Sequence, residues 1–433
     1  MTLFPEHPQR RVLVDEAHAR PSLLLRAPLR LSHLAALNGE GGQAADHAQV
    51  AALCRAFAVA PPPSDALHFT TRLGPLLFKW ERHSEFSSYI VAAHGPFGQP
   101  FKNPPTDSLP ADWLKEISGE IVAAVHIAVE PESTTDRTVE ETSALFDNNT
   151  VIGSAVQGGQ ARAARLWTDA RVHADGFSRY LVKDLGMNQR QLGRLARRLL
   201  EIETYRILAM LALPLARAAR PRVAALERDL TAAVRRLPEI STVEDENALL
   251  KGISTLAAEA EGVAATTAYR FSAAHAYAAL VRQQVEELRE SRLEWMQPVG
   301  EFLLHRLAPA METCENVAAR QESVSARIAR ASDLLRTRVN VAVEAQNRDL
   351  LRSMNRRARL QLRLQQTVEG LSVAAISYYL VGLVAYAAKA AHGAGVKVDP
   401  DLAAGLAIPV VLALVWFAVR RLRRTVAGKG DED

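Results

Sequence analysis

Apolar residues recur with a helical period along much of this chain. Twice, close to the C-terminus, they form stretches with no charge at all: Gly370–Ala388 and Leu402–Val419. A helix rises about 1.5 Å per residue, so each stretch spans roughly 27–29 Å, close to the hydrocarbon thickness of a bilayer. The pattern predicts two transmembrane helices, at 370–388 and 402–419, joined by an external loop at 389–401. That loop carries Lys389, Lys397, Asp399 and Asp401 and is nearly neutral. Arg352, Arg356, Arg357, Arg359 and Arg363 precede the pair, and Arg420, Arg421, Arg423 and Arg424 follow it in a basic tail at 420–433. Arginine on both flanks places both ends in the cytoplasm. A buried soluble hairpin is the alternative reading of the same pattern.

The periodic run at 310–369 predicts one long stalk helix leading into the first span. At about 100° per residue, Leu335, Val339, Val343, Leu350, Met354, Leu364 and Val368 share roughly a 100° sector. Gln346, Arg357 and Gln361 fall in the same seam, where polar residues can set register in a coiled coil. Carried into the apolar stretch, the same angle passes through Ala375, Tyr379, Gly382 and Tyr386. These are candidates for the axis of a homo-oligomeric bundle, or for packing of the first membrane helix on the second.

Upstream the pattern changes twice. Residues 1–45 are polar, broken by prolines, and read as an N-terminal arm. Residues 46–187 read as a mixed α/β domain: a helix at Asp46–Phe57, then strands at His68–Thr71, Leu76–Glu81, Phe86–Ala93, Glu120–Val129, Val151–Val156 and Ala163–Thr168. Residues 188–309 turn helical, with Pro221, Pro298 and Pro309 as expected boundaries. The fold class is therefore α+β: a cytosolic mixed α/β domain, a long all-α region and a C-terminal two-helix hairpin.

Composition adds little for a chain of 433 residues, but charge does. The net charge is only +4 and the excess lies near the apolar stretches, which suits anionic lipid headgroups rather than nucleic acid. Cys54 and Cys314 are isolated and form no zinc pattern. No cofactor signature is present: Gly153, Gly158 and Gly159 lack the lysine that follows in a phosphate loop. Three polar clusters combine histidine with carboxylates, the residue types of acid–base or metal chemistry. They are Asp15, Glu16, His18 and Arg20; Glu81, Arg82, His83 and Glu85; and Asp169, Arg171, His173 and Asp175. Strand alternation would put Glu81, His83 and Glu85 on one face, and the third cluster likewise. Ion pairs that satisfy one another are the competing reading, and the metal question stays open.

His18-Ala19-Arg20-Pro21, Trp80-Glu81-Arg82-His83, Trp167-Thr168-Asp169, Leu334-Leu335-Arg336-Thr337-Arg338 and Gln365-Gln366-Thr367-Val368-Glu369-Gly370 resemble a bacterial family catalogued as domain of unknown function 3422. That family is described as a predicted membrane-anchored protein, so the resemblance implies a bacterial inner-membrane location and no known activity. In the order of its parts the chain also resembles the CorA-type divalent-cation channels. Those carry Gly-Met-Asn at the end of the first membrane helix, whereas here the place reads Ala388-Lys389-Ala390-Ala391-His392-Gly393. The expectation is a non-enzymatic, membrane-anchored homo-oligomer with a scaffold or sensing role. An ion channel and a membrane-anchored enzyme using the acidic and histidine clusters are the alternatives.

Overall fold

A computed structural model describes residues 4–18, 21–158, 162–240, 242–394 and 399–427. The chain forms two compact units: residues 1–239 with 249–332, and residues 240–248 with 333–433.

The first unit is built on a nine-stranded sheet. Its strands are β1 (Leu29–Leu37), β2 (His68–Leu73), β3 (Leu76–Arg82), β4 (Phe86–His94), β5 (Glu120–Glu130), β6 (Ile152–Gln157), β7 (Arg162–Val172), β8 (Ser178–Asp184) and β9 (Glu290–Arg292). They lie in the order β2-β3-β4-β1-β5-β8-β7-β6-β9. Only the β5–β8 pair is parallel; it joins two antiparallel halves.

β1 falls inside the stretch expected to be an arm, yet it lies between β4 and β5. Both of its faces are buried, so the apolar–polar alternation that marks a half-buried strand is missing. β8 and β9 also escaped the pattern; β8 mixes Arg179 and Lys183 into its apolar run, and β9 has three residues.

Helices cover both faces of the sheet. On one, α2 (Gln43–Ala56) and α3 (Ala111–Lys115) close a core of Leu34, Leu53, Phe78, Trp80, Tyr89 and Trp113. On the other, α5 (Gln189–Met210) lays Leu208 and Tyr205 against Ala35, Phe86 and Ala123. Asn188 opens α5 with a capping box, its side chain accepting from the Gln191 amide at 3.0 Å. α6 (Ala212–Arg236) and α7 (Val243–Leu288) follow. The minor helices are α1 (Arg10–His18) and α4 (Val139–Ala144).

Two of the expected proline boundaries are carried inside helices instead. Pro221 lies within α6, and Pro309 within α8 (Val299–Gly393). Each removes one amide donor without ending its helix.

The second unit holds α8 from Asp333 onward, the start of α7, and α9 (Pro400–Ala427). Arg338 Nε pairs with Glu246 at 3.0 Å within it. Leu335 is buried, but Leu350, Met354, Leu364 and Val368 are all about 60% exposed or more. The expected spans at 370–388 and 402–419 lie wholly within α8 and α9, both long and apolar enough to cross a membrane.

Candidate functional site

The second polar cluster divides between the two faces of the sheet. Arg82 alternates with Phe78 and Trp80, so it faces α2. There it meets Asp46, which is fully buried, at 2.6 Å. Ser87 donates to the same carboxylate at 2.6 Å, and Asn38 at 2.5 Å. Arg82 also donates to Asn38 Oδ1 and the Gly39 carbonyl. This is a buried charge pair held by several hydrogen bonds.

Glu81 points to the opposite face, where Lys79 Nζ lies 2.8 Å from it and also donates to the Pro21 carbonyl at 2.7 Å. His83 lies beyond the end of β3 and stacks on Phe86 at 4.2 Å. Glu85 turns to α7: it accepts from Arg270 at 2.7 Å and from the Tyr277 hydroxyl at 2.7 Å. Glu81, His83 and Glu85 are therefore not a row on one strand face, because β3 ends at Arg82.

Between α5 and the sheet lies a cavity of about 30 Å³ touched by His33, Glu81, His83 and Glu201. That volume admits water, not a substrate. His33 shares a 2.9 Å hydrogen bond with the Ser88 hydroxyl, while its Nδ1 has no partner among the described residues. Burial, and secondarily the charge of His83, drives its pKa down to about 3. Neighbouring Ser32, on the opposite face of β1, pairs with His126 at 2.8 Å. Burial holds His126 at about 4, and its ring stacks on Phe177 at 3.8 Å. Both histidines are thus neutral.

The third cluster closes on itself. Ala170 adopts φ 53°, and the β7–β8 register shifts between Thr168 and Val172. The resulting bulge lets His173 fold back on Asp169, with Nε2 at 3.1 Å. His173 Nδ1 meets Asp147 at 2.7 Å, and Asn149 donates to Asp169 at 2.8 Å. The hydrogen bond from His173 holds the Asp147 carboxyl below the usual range. Asp175 caps the turn through the Phe177 amide at 3.0 Å and pairs with Arg179 at 3.2 Å. Arg171 is exposed, and only its amide joins the cluster.

The second and third clusters do not converge. β4, β1, β5 and β8 separate β3 from β7, which at about 4.8 Å per strand places them roughly 24 Å apart. In the first cluster Asp15 is exposed on α1. Glu16 and His18 belong to the same helix, and Arg20 lies outside the described residues. Among the described residues, no group of three or more His, Cys, Asp or Glu is placed to hold a metal ion. Asp46, Asp147, His33 and His126 escaped the sequence reading. Each is partnered across the sheet or from a loop, and local spacing carries no trace of that.

Of the candidate membrane-axis residues, Tyr379 and Tyr386 are about three-quarters exposed, and Ala375 is exposed. A Cβ added at Gly382 would meet nothing within 4 Å. In the seam, Val339 is half-buried, while Val343, Gln346, Arg357 and Gln361 are exposed.

Comparison with known proteins adds a family and little else. No functionally curated protein matches the chain. One solved structure, described as the structure of the full-length CmaX protein, is similar at 14% sequence identity over 70% of this chain and 89% of that one. Its TM-score of 0.16 is too low to carry a fold across. The family model described as "Protein of unknown function (DUF3422)" matches residues 5–426, nearly the whole length, and the chain belongs to that family.

Proposed function

We propose that the protein is an integral membrane protein that self-associates and serves as a scaffold or sensor rather than as an enzyme. One observation carries this reading. The uncharged stretches of α8 and α9 leave Leu371, Leu383, Leu406 and Leu414 each at least 65% exposed, a cost in water that a bilayer removes. Trp416 and Arg420 at the end of the second stretch, 5.0 Å apart, suit a membrane–water boundary. Arginines on both flanks favour cytoplasmic ends and contact with anionic headgroups. The ion-paired second and third polar clusters, held apart on the sheet, favour a structural role over catalysis.

Membrane extraction tests the reading. The protein is expected to stay in carbonate-washed membranes and to leave only with detergent. A cysteine introduced as Ala394→Cys is expected to react with a membrane-impermeant maleimide from the non-cytoplasmic side. Release by carbonate, or labelling from the cytoplasmic side alone, overturns it.

A further inference from the structure

Away from the polar clusters, the first unit holds a cavity of about 490 Å³ where the ends of β6 and α7 meet the first turns of α5. Val156, Leu195 and Leu288 give it apolar walls, and Arg194, Arg198 and Arg289 give it positive charge. Glu287, its one acidic lining residue, is already committed: Arg198 lies 2.8 Å away and Gln283 donates to it at 3.1 Å. The guanidinium groups of Arg194 and Arg289 have no partner among the described residues.

Arg194 and Arg289 are exposed at this cavity, while Arg198 is paired with Glu287. Arg190, Arg194 and Arg198 recur at four-residue spacing on one ridge of α5, where like charges repel. They follow the positive end of the helix, and the first turn contains no acidic residue to offset it. Arg289 stands just past α7 at φ 48°, a conformation that usually falls to glycine. Its amide and carbonyl are engaged, the latter by the Gln157 amide at 3.3 Å, so its backbone is fixed in place.

We propose that this cavity binds the phosphate group of an organic phosphate. Arg194 and Arg289 grip the phosphate oxygens, and Val156, Leu195 and Leu288 pack the organic part. Arginine forks match phosphate oxygens two at a time, and they favour a dianion over a carboxylate. The volume lies within the range of small-molecule pockets and exceeds what inorganic phosphate needs. No phosphate loop is involved: the donors are side chains, which is why the glycine spacing at Gly153 and Gly158 gave no such signal. A free nucleotide and a phospholipid headgroup share this chemistry.

Calorimetry on the full chain in mild detergent tests the proposal, with ADP, inorganic phosphate and phosphatidic acid in nanodiscs as probes. ADP or phosphatidic acid is expected to bind at least tenfold more tightly than inorganic phosphate. The Arg194→Ala/Arg289→Ala variant is expected to lose tenfold or more. Binding of ADP assigns a soluble ligand, and binding of phosphatidic acid alone assigns a headgroup. Without probe, Arg194→Ala is expected to melt no lower than the parent, because it relieves repulsion; this separates a lost site from a lost fold. Absence of binding by all three probes, or equal binding by parent and double variant, overturns the proposal.

Discussion

Asp46 and Arg82 show what a buried charge requires in this protein. The carboxylate has no exposure and takes hydrogen bonds from Arg82, Ser87 and Asn38. Removing one member strands the other in the core, which costs about 3–5 kcal/mol for buried pairs. Asp46→Ala is expected to lower the thermal midpoint sharply, and a shift of under a degree would sink this account. His33 and His126 make the opposite case, being buried without charge. Their folded pKa values, about 3 and about 4, lie below the ordinary 6.5, so the unfolded chain takes up protons first as pH falls. Stability is therefore full above about pH 6.5 and declines toward pH 4, by roughly 2 kcal/mol per histidine at pH 5. His33→Asn/His126→Asn is expected to flatten that decline in melting curves taken from pH 7.5 to 5. An unchanged slope would show that other groups govern acid sensitivity. Neither feature can be read from neighbours in sequence, since Asp46 and Arg82 meet only once β3 is laid against α2.

At the level of elements, periodicity carried most of the fold. α5 stands out by its 3.6-residue period, α7 by its uninterrupted length, and β3 and β4 by their aromatic and β-branched runs. What stayed hidden were elements whose environment erases pattern: β1, buried on both faces, and β9, only three residues long. Yet β9 starts the longest helix. Glu290 Oε1 and Oε2 accept from the Glu301 and Gly300 amides at 3.1 and 3.0 Å, and Ser154 accepts from Val299 at 2.8 Å. A carboxylate at a helix N-terminus answers both the unpaired amides and the macrodipole. The fit leaves no room at Gly300, where an added Cβ would lie 2.3 Å from a Val285 methyl and 2.8 Å from Glu290. Gly300→Ala is expected to destabilise by about 1–3 kcal/mol, as overpacking does, despite alanine's better helix propensity. Glu290→Ala is expected to cost about 1 kcal/mol through the lost cap. A gain in melting temperature for Gly300→Ala would show that α8 starts elsewhere.

At the scale of the whole molecule, the sequence and the structure agree on where apolar surface is left over. In α8, Arg348, Arg352, Arg356, Arg359 and Arg363 gather within about an 80° sector, roughly 150° around the helix from the Leu350–Leu364 seam. An isolated helix has no use for such a division. The proposed bundle of copies would, because it would bury the seam and keep arginine in water. Burying a leucine contributes about 1.5–3 kcal/mol, so Leu350 and Leu364 alone would supply several kcal/mol per protomer to the proposed association. Gln346, Arg357 and Gln361 in the same seam oppose part of this and can set the register between copies. In mild detergent the parent protein is therefore expected to sediment as a multiple of the 47.3 kDa chain. Leu350→Glu/Leu364→Glu, which places like charges in the seam of every copy, is expected to sediment as the single chain with its far-UV helicity retained. A parent protein already at one chain per particle would leave the seam without a partner and remove self-association from the account. A double variant that stays assembled would move the contact to another face.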